Sequence, residues 1–292
     1  MLANSTNMKL AVLGDIHSNN IAFEACIEDI NKSNVYGICL IGDYISDCPN
    51  PQETIALINE LKKNYKVWMV MGNREEYFIN HQDGKDSGWN YSSYEGSLLY
   101  TYEKLTSLNI DNLRKLPLTS SVNIPSTDPL LLVHGSQRHI KELLYEDKEN
   151  TKECLDDMDE VYLLSGHTHK RTYYKYNDKV LVNPGSVGVA IGEKATAHYC
   201  ILEWKGSKWE VDFRSIPYDI EKLRKIFYKS SLMDKGGVWP NCIIKSIEEG
   251  INWGPICSKR AYDYAVAEGV ELSDRNVPDK YWRKAAIDLD IV

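Results

Sequence analysis

The 292 residues contain no basic surplus, no paired-cysteine motif and no long apolar run, and each absence removes a class of function. Lys and Arg number 34 against 42 Asp and Glu, a formal net charge of −8. A surface that tracks a nucleic-acid backbone needs clustered Lys and Arg to displace counterions, so no nucleic-acid polymer is expected as a partner. The seven cysteines are odd in number, widely scattered and never arranged as C-x-x-C, and they read as the reduced thiols of an intracellular protein. The first residues, MLANSTNMKL, lack the basic and apolar regions of a secretory leader, and no apolar run approaches the length of a membrane span. The expectation is a soluble, cytoplasmic protein with no membrane partner. Internal repeats and low-complexity tracts are also missing.

With 43% hydrophobic and 26% charged residues, the chain is long enough for one large domain, or one domain with an appendage, around a sizeable core. Short apolar runs alternate with longer helical patterns. Residues 8–13 (MKLAVL) read as a parallel strand buried on both faces, followed by Ile21, Ala25, Cys26 and Ile30 at helical spacing. The run Ile38–Ile41 leads to Asn50-Pro51-Gln52-Glu53, an N-cap, a first-turn proline and an acidic third position that start a helix reaching about Lys63. Further runs occupy 67–71, 130–133, 161–164 and 180–182, the last closed by the turn Asn183-Pro184-Gly185-Ser186. This alternation predicts an α/β sandwich built on sheets.

Five of these runs end in glycine beside a side chain able to bind metal. They are Gly14-Asp15-Ile16-His17, Gly42-Asp43, Gly72-Asn73-Arg74, His134-Gly135 and Gly166-His167-Thr168-His169. In open α/β sheets the carboxyl ends of strands line the ligand crevice, so positions far apart in sequence converge there. Glycine is expected to supply the sharp backbone exit at each. The pairs Asp15/His17 and His167/His169 share a face only in non-helical chain, and both follow strand-like runs. The set offers two carboxylates, four imidazoles and one amide oxygen, an inventory suited to two borderline divalent ions such as Mn²⁺, Fe²⁺ or Zn²⁺, with Mn²⁺ favoured. Two such ions against two carboxylates and a hydroxide leave a net charge of about +1, which attracts anions. A hydroxide held between two metals is a strong nucleophile toward a phosphoryl group.

In these five ordered blocks the sequence resembles the calcineurin-like metallophosphoesterases, over residues 8 to about 188, and in particular their small prokaryotic phosphodiesterase-like branch. The resemblance implies a four-layer αββα sandwich at residues 1–218; the segment at about 79–117 departs from a minimal member as a helical, aromatic insertion, and helical patterns at 219–292 beyond the matched blocks read as a C-terminal helical extension. The resemblance further implies that Asp15, His17, Asp43 and His169 hold one metal while Asp43, Asn73, His134 and His167 hold the other, with Asp43 bridging. The activity implied is hydrolysis of a phosphodiester or phosphoanhydride, on a small nucleotide such as a diadenosine polyphosphate. A phosphomonoesterase or protein phosphatase, and a non-catalytic scaffold of the same fold, are the alternatives.

Arg74 stands where many relatives carry a histidine that protonates the leaving oxygen. Its guanidinium cannot lose a proton near neutral pH but suits two phosphate oxygens, so it is assigned a catalytic, substrate-binding role, with an ion pair to Glu75 or Glu76 as the bland alternative. Arg171, and with it Lys170, is a candidate phosphate contact, whereas His81, His139 and His198 match no block. For Asn183–Ser186, a plain turn and a role bracing the site are equally open. Trp89, Tyr91, Tyr94, Tyr100 and Tyr102 in the insertion could stack on a nucleobase, against ordinary packing as the simpler reading. The extension at 219–292 is expected to be a helical appendage or a contact between copies of the chain.

Overall fold

The computed structural model describes residues 8–86, 88–272 and 276–292, so the leaderless reading of residues 1–7 lies outside the described residues. Two five-stranded sheets form the centre. In the first, β1 (Lys9–Leu13), β2 (Gly37–Leu40) and β3 (Lys66–Met69) run parallel. The long antiparallel pair β9 (Thr196–Trp204) and β10 (Trp209–Pro217) completes that sheet on the β1 side. The second has the order β4 (Thr119–Val122), β5 (Leu130–Val133), β6 (Tyr162–Leu164), β8 (Lys179–Asn183), β7 (Thr172–Tyr176), with β5, β6 and β8 parallel.

Alternation along each strand separates the layers, because successive side chains point to opposite faces. Leu10 and Val12 of β1 meet Leu130 and Leu132 of β5 and Val180 and Val182 of β8 between the sheets. Their neighbours Ala11 and Leu13 turn outward to Phe23, Cys26 and Ile30 of α1 (Asn20–Lys32). On the opposite outer face Leu131, Val133, Leu163 and Leu181 pack on Cys154 and Leu155 of α6 (Glu149–Asp156). The result is the expected helix–sheet–sheet–helix sandwich. These strands read as near-continuous apolar runs because both of their faces are covered.

Local signals held with adjustments. Helix α2 (Pro51–Asn64) starts at its proline, but the Asn50 side chain donates to Asn20 Oδ1 at 2.9 Å and makes no cap hydrogen bond. The third strand stops at Met69, two residues short of the apolar run. Among the described residues no helix is long and apolar enough to cross a membrane, and all seven cysteines are free and buried.

Between β3 and β4 lie α3 (Asn73–Gln82), α4 (Gly96–Tyr102) and α5 (Ser107–Leu113). After β10 come α7 (Ile220–Lys229), α8 (Leu232–Lys235), α9 (Trp239–Glu249), α10 (Trp253–Ala267) and α11 (Asp279–Asp288). Leu223 and Phe227 of α7 and Ile243 and Ile247 of α9 pack against Ile21, Cys48, Tyr100 and Val189. The C-terminal helices α7 and α9 therefore sit against α1, α4 and the loops that follow β2 and β8. Phe227 is fully buried in this junction, and Phe227→Ala should cost about 3–5 kcal/mol of stability. Urea unfolding measures it; an unchanged midpoint would contradict this packing.

Candidate metal centre

The loops leaving β1 and β2 run side by side, with Asp15 N–H donating to Gly42 O and His17 N–H to Asp43 O, both at 3.0 Å. They continue the sheet beyond its edge and then turn abruptly. The turn is made by the candidate ligands themselves: φ is +52° at Asp15, +50° at His17, +51° at Asp43, +64° at His167 and +57° at His169. Of the glycines in the five blocks only Gly42, at +92°, takes a positive φ. The expectation that glycine supplies the bend is thus corrected. Asp and His tolerate the left-handed region better than most residues, at a cost of about 1–2 kcal/mol each. Gly72 serves close approach instead, since a Cβ there would collide with the backbone N and Oδ1 of Asp43.

Glu75 fixes this crossing. Its buried carboxylate accepts the N–H groups of Gly72 (2.9 Å), Asp43 (2.9 Å) and Tyr44 (2.8 Å), which ties the ends of β2 and β3 together. Burial and the nearby Asp43 charge push its carboxyl up to about 7. Asn183 and Ser186 do the same for the second sheet. Asn183 Nδ2 donates to Gly166 O (2.7 Å) and Thr168 Oγ1 (3.0 Å), and Ser186 Oγ donates to Asp15 O (2.7 Å). The turn at 183–186 braces two ligand loops.

Two groups of side chains converge at this edge, Asp15, His17 and His169 in one and Asp43, His134 and His167 in the other, with the ligand atoms of each within 4.8 Å of one another. Asn73 Oδ1 joins the second group, 3.0 Å from His134 Nε2. Asp43 faces both, with Oδ1 3.4 Å from His134 Nε2 and Oδ2 3.8 Å from His17 Nε2. His167 and His169, adjacent but one in sequence, fall in different groups.

The ring nitrogens reveal what the groups require. His134 Nδ1 donates to Ile41 O (2.9 Å), His169 Nδ1 to Val189 O (3.0 Å), and His17 Nδ1 to the Asp47 carboxylate (3.0 Å). Each ring, when neutral, then presents an Nε2 lone pair. The lone pairs of His17 and His169 face each other at 3.0 Å, and that of His134 faces the Asn73 carbonyl oxygen. Acceptors aimed at acceptors call for positive charge between them, a proton or a metal ion, and imidazole with carboxylate and amide oxygens suits a borderline divalent metal. The ionisations show the same demand for positive charge at the centre, met without metal by protons on the rings. Burial opposes charge on Asp43, yet His134, His17 and Arg74 outweigh it and hold that carboxyl well below the usual range. Burial and Asp43 push Asp15 up to about 6, while burial and the nearby His134 lower His167 to about 4. His134 is drawn up to about 9, against burial, by Asp43 and Asp15. The donor set fits divalent metal ions.

Arg74 does not pair with Glu75 or Glu76. Its Nη2 donates to Asp47 Oδ2 at 3.0 Å, its Nε is buried without a hydrogen-bond partner, and Glu75 is occupied by backbone N–H groups. Arg171 lies in a separate cluster, where it pairs with Glu193 at 2.8 Å and contacts Ser215, and it does not line the cleft over the ligands. His81 pairs with Asp86, and His198 with Glu193. Of the insertion aromatics, Trp89 and Tyr94 line the cleft; Tyr100 is buried with its hydroxyl on Pro49 O, Tyr102 donates to Gln82, and Tyr91 contacts Glu103. Sequence reasoning missed Asp47, which sits in the loop four residues beyond Asp43 where no periodic pattern marks it, and Trp239, whose Nε1 donates to Asp47 Oδ1 at 2.8 Å from a distant helix. The C-terminal helices thereby contact the centre.

Asp43→Asn removes the one carboxylate that faces both groups and should lower metal content at both. His167→Ala and His169→Ala should each deplete one site, and a different one. Metal analysis of purified protein checks all three variants; unchanged content in both histidine variants would contradict the grouping.

Comparison with known proteins places this geometry. The chain is 28% identical over 241 residues to an uncharacterized protein of Methanocaldococcus jannaschii, covering 76% of this chain and 93% of that one. The fold is shared with a metallophosphoesterase from Sphaerobacter thermophilus, with a TM-score of 0.64, 23% identity, and coverage of 79% of this chain and 98% of that one. It is shared too with a hypothetical protein from Pyrococcus horikoshii OT3, with a TM-score of 0.69, 20% identity, and coverage of 84% and 99%. Residues 8–207, which carry all seven metal-competent side chains, match the calcineurin-like phosphoesterase superfamily domain, and the chain belongs to that superfamily as a metal-dependent phosphoesterase.

Proposed function

We propose that the chain hydrolyses a phosphodiester or phosphoanhydride of a small nucleotide, with diadenosine polyphosphates as one candidate. One divalent ion is assigned to Asp15, His17, Asp43 and His169 and a second to Asp43, Asn73, His134 and His167. The observation that carries this reading is the placement of Asp43, whose two oxygens address the two groups separately. When bound, the ions supply a water acidified to near neutral pH and a clamp on the phosphoryl oxygens.

The protein's own residues do the remaining work. The bonds from His17, His134 and His169 Nδ1 to fixed acceptors hold every Nε2 toward the centre and keep the rings from turning. Asp47 holds the guanidinium of Arg74 at the cleft wall while its Nε remains without a hydrogen-bond partner. Arg74 is assigned to a phosphoryl oxygen, where fixed positive charge stabilises the charge that develops in the transition state. It cannot protonate a leaving group, because its own pKa is raised above that of a free guanidinium by Asp47 and Asp43, although burial pulls the other way. The leaving group must therefore depart as a stable anion, as nucleoside phosphates and phenols do.

Substrates differing only in leaving-group pKa test this. With Mn²⁺-loaded wild type, kcat/KM should fall steeply as that pKa rises, and Arg74→His should flatten the slope by restoring a titratable acid. Equal slopes with unchanged rates would contradict the assignment.

A further inference from the structure

The cleft above the ligands has a volume of about 810 Å³, and one of its walls comes from outside the matched residues 8–207. That volume lies in the usual range for whole small-molecule sites, roughly 300–1,000 Å³, and is far more than a phosphoryl group fills. The surplus space is bounded by aromatic rings. Trp89 and Tyr94 come from the insertion, and Trp239 and Trp282 from α9 and α11.

Of the four, Trp239 is tied to the centre by a hydrogen bond. Its Nε1–H donates to Asp47 Oδ1 at 2.8 Å, and the other Asp47 oxygen receives Arg74 Nη2 and His17 Nδ1, each at 3.0 Å. One carboxylate thus joins a metal ligand, the cationic side chain at the phosphoryl position and the C-terminal wall. The six-membered part of the indole is packed as well. Trp282 meets it edge-on at 6.2 Å between ring centroids, and Gly254 allows α10 to close on it, since a Cβ there would lie 2.8 Å from Trp239 Cη2. A ring held by these contacts and still lining the cleft offers a rigid aromatic surface at low entropic cost.

We propose that Trp239 is the specificity-determining residue of this cleft, and that the C-terminal helices select phosphoesters whose organic group is planar and of nucleoside size over those of small aliphatic alcohols. The proposal rests on the hydrolytic reading above and adds the substrate's organic half. A stacked base contributes enough that truncating its platform costs about tenfold or more in affinity.

The test uses two diesters with the same leaving group, thymidine 5′-(p-nitrophenyl phosphate) and methyl p-nitrophenyl phosphate, with Mn²⁺-loaded full-length protein. Wild type should favour the thymidine ester at least tenfold in kcat/KM, through KM. Trp239→Leu should shrink that ratio about tenfold, while Trp239→Phe, which keeps a flat ring, should retain most of it. Metal content measured on each variant separates lost selectivity from a lost centre. Should the leucine variant fail to fold, calorimetry on wild type alone decides: thymidine 5′-monophosphate should bind at least tenfold tighter than methyl phosphate, and equal affinities would overturn the proposal. Turnover of both esters at equal kcat/KM, or a ratio unchanged in Trp239→Leu, overturns it and leaves the hydrolytic reading standing. No turnover of either ester would instead sink the hydrolytic reading itself.

Discussion

Two carboxylates and four imidazoles share one buried volume at the carboxyl edge of the sandwich, and their mutual repulsion is the constraint around which this end of the protein is arranged. Asp15 and Asp43 both lie below 3% exposure, so the penalty for holding two like charges there falls on the protein itself. Three of the rings have their Nδ1 tied to fixed acceptors, which turns their Nε2 lone pairs inward on one another. Such an arrangement calls for positive charge between the groups, as protons or as metal ions. Five left-handed ligand residues add backbone strain of several kcal/mol in total, and the layered core beneath must offset it.

That core was legible because it is periodic. Alternate residues of β1, β5 and β8 go to the inter-sheet interface and to the outer helices, and both destinations are apolar, so the strands appear in sequence as unbroken runs. The side chains that converge at the edge were legible because each follows such a run at once. The strain was not: a glycine and its neighbour divide the turn between them in a way that sequence does not specify, and Gly72 matters for the space it leaves beside Asp43. Arg74 could be marked as unusual from its neighbours, but its partner lay in another loop, 27 residues earlier.

Trp239 shows the same limit at longer range. It lies 192 residues from Asp47 in sequence, and nothing in the pattern of α9 announces that the first residue of the helix, rather than its apolar face, reaches the centre. The extension, expected to be a helical appendage or a contact between copies of the chain, is joined to the sandwich by an apolar junction through Phe227 and, by an indole hydrogen bond, to Asp47 beside His17. The sandwich carries the residues that match the superfamily, whereas segments that sequence left undecided, 79–117 and 219–292, furnish walls of the cleft beside them.

The central claim is that two ions share Asp43. Anomalous diffraction from crystals grown with Mn²⁺ tests it most directly. The account predicts two anomalous peaks, one among Asp15, His17 and His169 and one among Asn73, His134 and His167, with one oxygen of Asp43 directed at each. A single peak, or a pair of peaks that Asp43 does not touch, would contradict it.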